Sequence, residues 1–255
     1  MTNFLGLRTF EGSAGKFHYG VWVADHCGEQ VPSHEHKSAH FMWAIVGHYE
    51  TQVQQPHNQS SDIVIFNPAG TEHRDRFLTT GAFFSLDFSN DESVRSIPSP
   101  VSIDHNRIRG LFWKICNEAS DRERNSPMLV EGLCYDALSM VECDNAKRKA
   151  PPHWLKRACA HLREEKQTTI SNIANQIGIH PTHFVRAFKN CMQCTPGEFR
   201  RLVNLQMAAT KMIESHYSIA EIAADIGYTD QSHFTKHFRR AFGVTPGAYR
   251  AIRNQ

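Results

Sequence analysis

Apolar positions near the start of the chain occur in short runs. Between residues 14 and 90 these runs include 17–23, 41–46 and 63–66, and Gly, Pro and Asn separate them. Runs of this length, rich in β-branched and aromatic residues and bounded by turn formers, are typical of strands. The pattern predicts a β-rich region at the start of the chain.

The apolar spacing changes to a helical period further along. Two helical stretches, 103–119 and 127–141, precede a polar, charged segment that ends in a double proline. Because prolines interrupt a helix, residues 146–152 are predicted to be a linker. The fold class is therefore predicted as α+β, with a β-barrel and a helical pair in residues 1–145 and an all-α domain in residues 153–255.

The C-terminal part contains an internal repeat. Residues 170–202 align with 219–252 at twelve identities in 33 positions, with one inserted residue. Each copy has apolar residues at helical spacing, then Gly178 or Gly227 where a left-handed turn ends a helix, then a second helix with two phenylalanines at i and i+4. Helix, tight turn and second helix form a helix-turn-helix unit, so the repeat predicts two such units.

The second helix of such a unit lies in the DNA major groove. The paired phenylalanines fix its buried face, and His183 and His233 beside them are predicted at the edge of the core. Residues on the remaining faces are candidates for contacts with bases and phosphates, with ordinary solvated helix surface as the alternative. These candidates are Thr182, Val185, Arg186 and Lys189 in the first unit and Gln231, Ser232, Thr235, Lys236 and Arg239 in the second.

The net charge of +2 is unevenly distributed along the chain. Residues 153–255 contain 14 Lys and Arg against 7 Asp and Glu, a net of +7, whereas residues 1–152 carry −5. A basic region joined to an acidic one is typical of a nucleic-acid-binding domain attached to a different domain. The chain has no apolar run of about 18–20 residues and no basic-apolar leader, so we expect a cytoplasmic protein without a membrane partner.

The second repeat resembles the signature of the AraC/XylS family of bacterial regulators. From Ser218 to Arg250 it reads S-I-A-E-I-A-x-x-I-G-Y-x-D-Q-S-H-F-x-x-x-F-R-R-x-F-G-V-T-P-x-x-Y-R. The resemblance covers residues 153–255 and implies a sequence-specific transcription regulator, not an enzyme, that binds double-stranded promoter DNA and RNA polymerase and forms a homodimer. The first unit departs from the pattern, with Gln193 in place of the glycine at Gly243 and His180-Pro181 in place of a serine cap.

The N-terminal histidines resemble a second family. Gly28 is followed after five residues by His34-Glu-His36 and then His40, and Pro68-Ala-Gly70-Thr-Glu-His73 comes later. These spacings resemble the two metal-binding motifs of the cupin β-barrel, although His40 stands where a glutamate is usual and Phe77 where an asparagine is. Many regulators of the AraC type carry such a domain as a sensor. A barrel of this kind offers a pocket for a small molecule.

The four histidines of these motifs allow two kinds of pocket. Imidazoles suit several divalent metals, whereas sensing domains of this type often keep the motifs without a metal. We expect a small-molecule effector site at His34, His36, His40 and His73 that requires no cofactor, with a divalent metal in the cupin-like pocket as the alternative.

Two other functions are compatible with the sequence. One is a metal-dependent cupin enzyme fused to a DNA-binding module, which substrate turnover and metal content would identify. The other is a DNA-binding protein without an effector, whose promoter occupancy would not respond to any metabolite.

Overall fold

The structure is a computed structural model that describes residues 6–24, 31–53, 55–56, 64–88, 101–103, 106–120, 126–142, 152–165 and 168–252. Apart from residue 152, the predicted linker lies outside the described residues, as does Gly28.

The N-terminal part folds into two antiparallel sheets. Within the described ranges, one sheet has six strands in the order β1-β2-β8-β3-β6-β9 and the other has three in the order β5-β4-β7. The runs predicted at 17–23, 41–46 and 63–66 correspond to β2, β3 and β6. The strands are β1 (Leu7–Ala14), β2 (Phe17–Ala24), β3 (Ala39–Val46), β4 (Tyr49–Val53), β5 (Gln55–Pro56), β6 (Val64–Asn67), β7 (Arg74–Phe77), β8 (Gly81–Phe88) and β9 (Val101–Ile103).

Helices make up the rest of the described chain. The first predicted helix was expected to begin at residue 103, but Ile103 pairs with Val64 in the six-stranded sheet, and the helix begins at Asn106. No described helix is long and apolar enough to cross a lipid bilayer. The helices are α1 (Asn106–Ser120), α2 (Pro127–Glu142), α3 (His153–Glu164), α4 (Ile170–Gln176), α5 (Pro181–Met192), α6 (Pro196–Glu214), α7 (Ile219–Asp225), α8 (Gln231–Phe242) and α9 (Pro246–Ile252).

Both faces of the six-stranded sheet are covered at its strand β3. All eight residues of β3 are buried, because successive side chains of a strand point to opposite faces and each face is covered. On one face, the Phe41 ring lies 5.5 Å from that of Phe112 in α1. On the other, Met42 belongs to a small apolar cluster with Tyr49 and Phe77 of the three-stranded sheet. The two sheets therefore face each other across a thin core, as expected for a cupin-like domain.

Local signals determine where the helices of the C-terminal part begin and end. A capping box opens α6: Thr195 Oγ1 accepts a hydrogen bond from Glu198 N at 3.2 Å, and Glu198 Oε2 accepts one from Thr195 N at 2.7 Å. A second capping box opens α7 at Ser218. Gly178 and Gly227 have φ values of 76° and 89°, the left-handed conformation expected after α4 and α7. The positions of Gly178 and Gly227 match the sequence prediction.

The two second helices end in the same way with different residues. α8 is followed by Gly243 at φ 74°, and α5 by Gln193 at φ 56°. A left-handed conformation costs a non-glycine residue roughly 1–2 kcal/mol, so the surrounding packing holds Gln193 there. The departure of the first unit from the repeat pattern is therefore accommodated without a change in the fold.

The two helix-turn-helix units differ in how their cores are built. Phe184 and Phe188 of the first unit pack with Trp154 and Phe199 in a cluster confined to the C-terminal part. In the second unit, Phe234, Phe238 and their neighbours belong to a larger cluster that is continuous with the apolar residues of the six-stranded sheet, α1 and α2. Among the residues that the structure describes, the second unit shares its apolar core with the N-terminal part and the first unit does not.

Candidate nucleic-acid interface and histidine pocket

The second helices α5 and α8 each expose a polar and basic surface. Phe184, Phe188, Phe234 and Phe238 have no exposed surface, which places their helix face inward as predicted. The proposed DNA-contacting residues lie on the other faces, and all are exposed except Thr235, which is half-buried. The exposed ones are Thr182, Val185, Arg186 and Lys189 on α5 and Gln231, Ser232, Lys236 and Arg239 on α8. Their contact with DNA remains a prediction.

The prediction for His183 and His233 was wrong. Both were expected at the edge of the core, but both are exposed. Each precedes a buried phenylalanine by one residue, and one step along a helix rotates a side chain by about 100°, enough to carry it away from the core. The His233 ring lies 4.2 Å from that of His237, which makes these histidines additional polar groups on the outer surface of the second unit.

Hydroxyl groups from the N-terminal part satisfy the carbonyls at the end of α8. Thr9 Oγ1 lies 2.6 Å from Phe242 O, and Ser120 Oγ donates to Arg240 O at 3.1 Å. The last four carbonyls of a helix have no partner within the helix, so these bonds replace water at that end. Sequence reasoning missed them, because the bonded residues are 233 and 120 positions apart.

The N-terminal and C-terminal parts also approach each other closely at two glycines. A Cβ added to Gly110 in α1 would lie 2.0 Å from Met192 O at the end of α5. A Cβ at Gly243 would lie 2.6 Å from Phe10 Cβ in β1. Real Cβ atoms do not come this close to other heavy atoms, so both junctions require glycine. Strand β1 therefore contacts the C-terminal end of α8, and helix α1 contacts the C-terminal ends of both α5 and α8.

Backbone pairing brings the two histidine motifs together. His34 and His73 exchange two backbone hydrogen bonds of 3.0 Å, and Gly70 N donates to His36 O at 2.8 Å. The ring centroids of His34 and His73 are then 4.4 Å apart, and those of His36 and His40, on adjacent segments, are 4.2 Å apart. All four predicted pocket histidines lie together. We call His34, His36, His40 and His73 the histidine pocket.

Burial keeps two of these imidazoles neutral. Desolvation, reinforced by the neighbouring histidines, lowers the pKa of His36 to about 4 and that of His40 to about 3. At neutral pH both rings therefore offer a nitrogen lone pair. His40 Nε2 lies 3.1 Å from the Asn67 amide nitrogen, which holds this ring against β6.

Two buried residues that sequence reasoning missed complete the pocket. Asp75 is buried, and its Oδ1 accepts a hydrogen bond from Tyr49 Oη at 2.5 Å. Its Oδ2 lies 3.5 Å from His73 Nε2 and 3.8 Å from His34 Nε2. A signal was available, because residues two apart in an extended segment share a face, and this places Asp75 beside His73.

A cavity of about 400 Å³ opens beside these residues. Its size lies within the range of sites for small molecules, roughly 300–1,000 Å³. Desolvation raises the pKa of Asp87 to about 6, so this carboxyl group titrates near physiological pH. The lining includes Arg8, Trp22, His36, His40, Asp75 and Asp87.

Comparison with known proteins identifies the C-terminal region. The model of a helix-turn-helix domain family matches residues 173–252. The chain is 35% identical over 97 residues to the probable transcription factor PqrA of Proteus vulgaris, covering 38% of this chain and 77% of PqrA. It is 33% identical over 86 residues to the regulatory protein SoxS of Salmonella typhimurium, covering 34% of this chain and 80% of SoxS.

The comparisons beyond these two are more limited. The chain spans 31% and 27% of the length of two other curated relatives that it matches. Among solved structures, ToxT from Vibrio cholerae aligns with 93% of this chain and 99% of its own, at 13% identity and a TM-score of 0.38. The relationship therefore rests on the sequence matches.

Proposed function

The chain belongs to the AraC/XylS family of DNA-binding transcription regulators, and we propose that it binds promoter DNA under the control of a small molecule held in the histidine pocket. The observation that carries the DNA-binding half is the duplicated helix-turn-helix unit, in which the same buried phenylalanine pair leaves the same face of the second helix exposed. PqrA and SoxS are named as regulators, which supports a regulator rather than an enzyme.

Contacts at the end of α8 support control by the N-terminal part. Arg8 lines the cavity, and the next two residues, Thr9 and Phe10, contact Phe242 and Gly243. A ligand that shifts β1 would therefore act directly on the end of a DNA-reading helix. A ligand changes DNA affinity only if it binds two conformations of the protein unequally. We propose that these conformations differ at the contact between β1 and the end of α8.

We expect each chain to protect an asymmetric DNA site on the order of two helical turns. Two second helices joined through the long helix α6 should enter successive major grooves, about 34–36 Å apart on one face of the duplex. Selection of bound sequences from a random pool, followed by hydroxyl-radical footprinting, measures this. A chain that protects a single groove segment would contradict the use of both units.

We also expect residues 153–255 to fold and bind DNA alone. The fragment keeps the complete first-unit cluster, both capping boxes and the net charge of +7, and matches of similar length make up most of PqrA and SoxS. Its affinity should fall with salt by a log–log slope of about 0.9 for each phosphate neutralised. Its binding should not respond to the effector, because the histidine pocket is absent. Circular dichroism and salt titrations of the fragment and the full chain test this; an unfolded fragment, or one that binds independently of salt, would disprove it.

We propose that the chain dimerises and contacts RNA polymerase, because it belongs to this family. For the dimer we propose α2, where Met128 and Leu129 keep 83% and 47% of their surface exposed. Leu133 and Ala137, further along the same helix, are buried. Exposed apolar residues grouped on one helix are typical of a protein contact site.

A further inference from the structure

We propose that the histidine pocket binds one divalent transition-metal ion through His34, His36 and His73, with the buried carboxylate of Asp75 beside it. The inference deepens the proposed function, on which its regulatory meaning rests, by making the ion the species that the N-terminal part detects. From the sequence we expected an effector pocket that requires no cofactor, with a divalent metal as the alternative. The positions of the ring nitrogens and of Asp75 favour the ion.

Two of the three rings are held in the orientation that a metal ligand needs. His34 Nδ1 lies 2.9 Å from Pro32 O, and His73 Nδ1 lies 2.9 Å from Thr71 O. A carbonyl oxygen only accepts, so the proton of each ring is on Nδ1 and the lone pair is on Nε2. Metal-binding histidines are almost always fixed in this way, by donation of the second ring N–H to a carbonyl or carboxylate.

The spacing between Asp75 and the rings fits an intervening ion and does not fit hydrogen bonds. His73 Nε2 is buried and makes no hydrogen bond, although Asp75 Oδ2 is only 3.5 Å away, and the corresponding separation from His34 Nε2 is 3.8 Å. Both exceed the roughly 2.7–3.2 Å of a hydrogen bond. Two ligands at about 2.0–2.2 Å from one ion, at angles between tetrahedral and somewhat wider, lie about 3.4–3.9 Å apart.

His36 supplies the third nitrogen. One ligand atom from each of His34, His36 and His73 can be chosen so that all lie within 4.8 Å of one another. Tetrahedral coordination brings such atoms to about 3.3 Å, so small ring rotations complete the site. His36 also groups with His40 and Asp87, but His40 Nε2 lies 3.1 Å from the Asn67 amide nitrogen, so we assign the ion to the group with His34 and His73.

The donor set indicates the chemical class of the ion. Imidazole nitrogens with one carboxylate suit Zn²⁺, Ni²⁺, Fe²⁺ and Mn²⁺, whereas Mg²⁺ and Ca²⁺ prefer oxygen ligands. The carboxylate also has a clear role in such a site. Asp75 is buried with one oxygen bonded to Tyr49, and a cation between its other oxygen and the two rings offsets the cost of burying its charge.

The test is metal binding by the full chain after removal of metal with a chelator. Zn²⁺, Ni²⁺, Mn²⁺ and, without oxygen, Fe²⁺ are titrated with calorimetric and thermal-melting readouts, and Mg²⁺ serves as a negative control. We expect about one ion per chain for at least one of the four metals, with a raised melting temperature. His34→Ala and Asp75→Asn should each weaken binding by more than about 100-fold, because each change alters a ligand and outer-shell partners alone are worth about 10–100-fold.

The control variant is His48→Ala. It removes an exposed imidazole in the turn between β3 and β4 and should leave metal affinity unchanged. Alanine at residue 34 keeps the backbone pair with His73, and circular dichroism of the variant without metal confirms its fold. If none of the four metals binds, or if His34→Ala binds as well as the unaltered chain, the metal site is disproved.

The same preparations are tested for DNA binding with Zn²⁺ and with chelator. We expect the ion to change affinity for the selected sequence by about 5–150-fold, the usual range of coupling between two sites. DNA binding without metal binding overturns the metal inference and leaves the proposed function intact. Metal binding without any DNA binding overturns the proposed function instead. Binding of both without mutual influence overturns the role of the ion as the detected species.

Discussion

Replacing Arg186 and Lys236 together by alanine is expected to weaken binding to the selected DNA site by roughly 30-fold to more than 10⁴-fold. The two residues occupy corresponding positions on α5 and α8, one turn beyond the helix start and exposed on the face opposite the buried phenylalanines. A specific side-chain contact to a base is worth about 1–3 kcal/mol, so two independent contacts are worth about 2–6 kcal/mol. Each single variant should also relax base preference at its own position. Electrophoretic mobility shifts with systematically altered sites measure both effects.

The matched control is the double variant Lys156→Ala, Arg157→Ala. It removes the same two positive charges from the C-terminal part, but from exposed positions on α3 rather than from the second helices. We expect a small, sequence-independent loss of affinity, of the kind that comes from the general attraction of phosphates. Equal losses in the two double variants would mean that Arg186 and Lys236 act only through charge, and would refute their proposed role in base recognition.

Phe238→Ala is expected to lower the free energy of unfolding by about 3–5 kcal/mol. The ring is fully buried and lies 5.6 Å from Phe234, 4.4 Å from Phe242 and 5.3 Å from Tyr249. The loss is a large part of the roughly 5–15 kcal/mol by which natural domains are stable. Because this cluster continues into the N-terminal part, the loss should not be confined to the second unit. Denaturant titration gives its size, and amide hydrogen exchange gives its location.

Phe188→Ala is the matched comparison, since it makes the same change at the corresponding position of the first unit. Its ring packs with Phe184 and Phe199 in the cluster confined to the C-terminal part. We expect similar destabilisation but faster exchange confined to the helices that share this cluster, α3 to α6, whereas Phe238→Ala should also speed exchange in β1 and α1. Val185→Ala, at an exposed position, should stay within about 0.5 kcal/mol. Unchanged exchange in β1 and α1 of Phe238→Ala would show that the cores are energetically separate.

Much of the C-terminal part could be predicted because its signals are local. Thr195 and Glu198 lie three residues apart and form their capping box regardless of the rest of the chain. The i, i+4 spacing of Phe184 and Phe188 defines the buried face of α5. The repeat then doubled the evidence, since the same spacing appears twice. A predicted helix boundary was wrong where strand pairing with a distant residue overrode the local helical pattern. This happens at Ile103, which pairs with Val64.

The pocket was predicted in part, for a related reason. The histidine spacings indicated that four imidazoles meet, and they do. Tyr49 carried no signal in the sequence, and Asp75 was missed because its only signal was its two-residue spacing from His73. Their 2.5 Å hydrogen bond exists only because β4 and β7 pair in the three-stranded sheet. The position of the His40 ring also depends on Asn67, a residue of β6 that belongs to neither motif.

The sequence by itself determined the helices of the C-terminal part, the duplicated unit and the residues on its exposed face. These features depend on apolar periods and helix caps that span only a few positions. Only the tertiary structure decided how the halves meet. Thr9 at the start of β1 bonds to Phe242 at the end of α8, and Gly110 lets α1 touch the end of α5. Contacts between residues so far apart depend on how whole elements pack, and no local pattern specifies that packing.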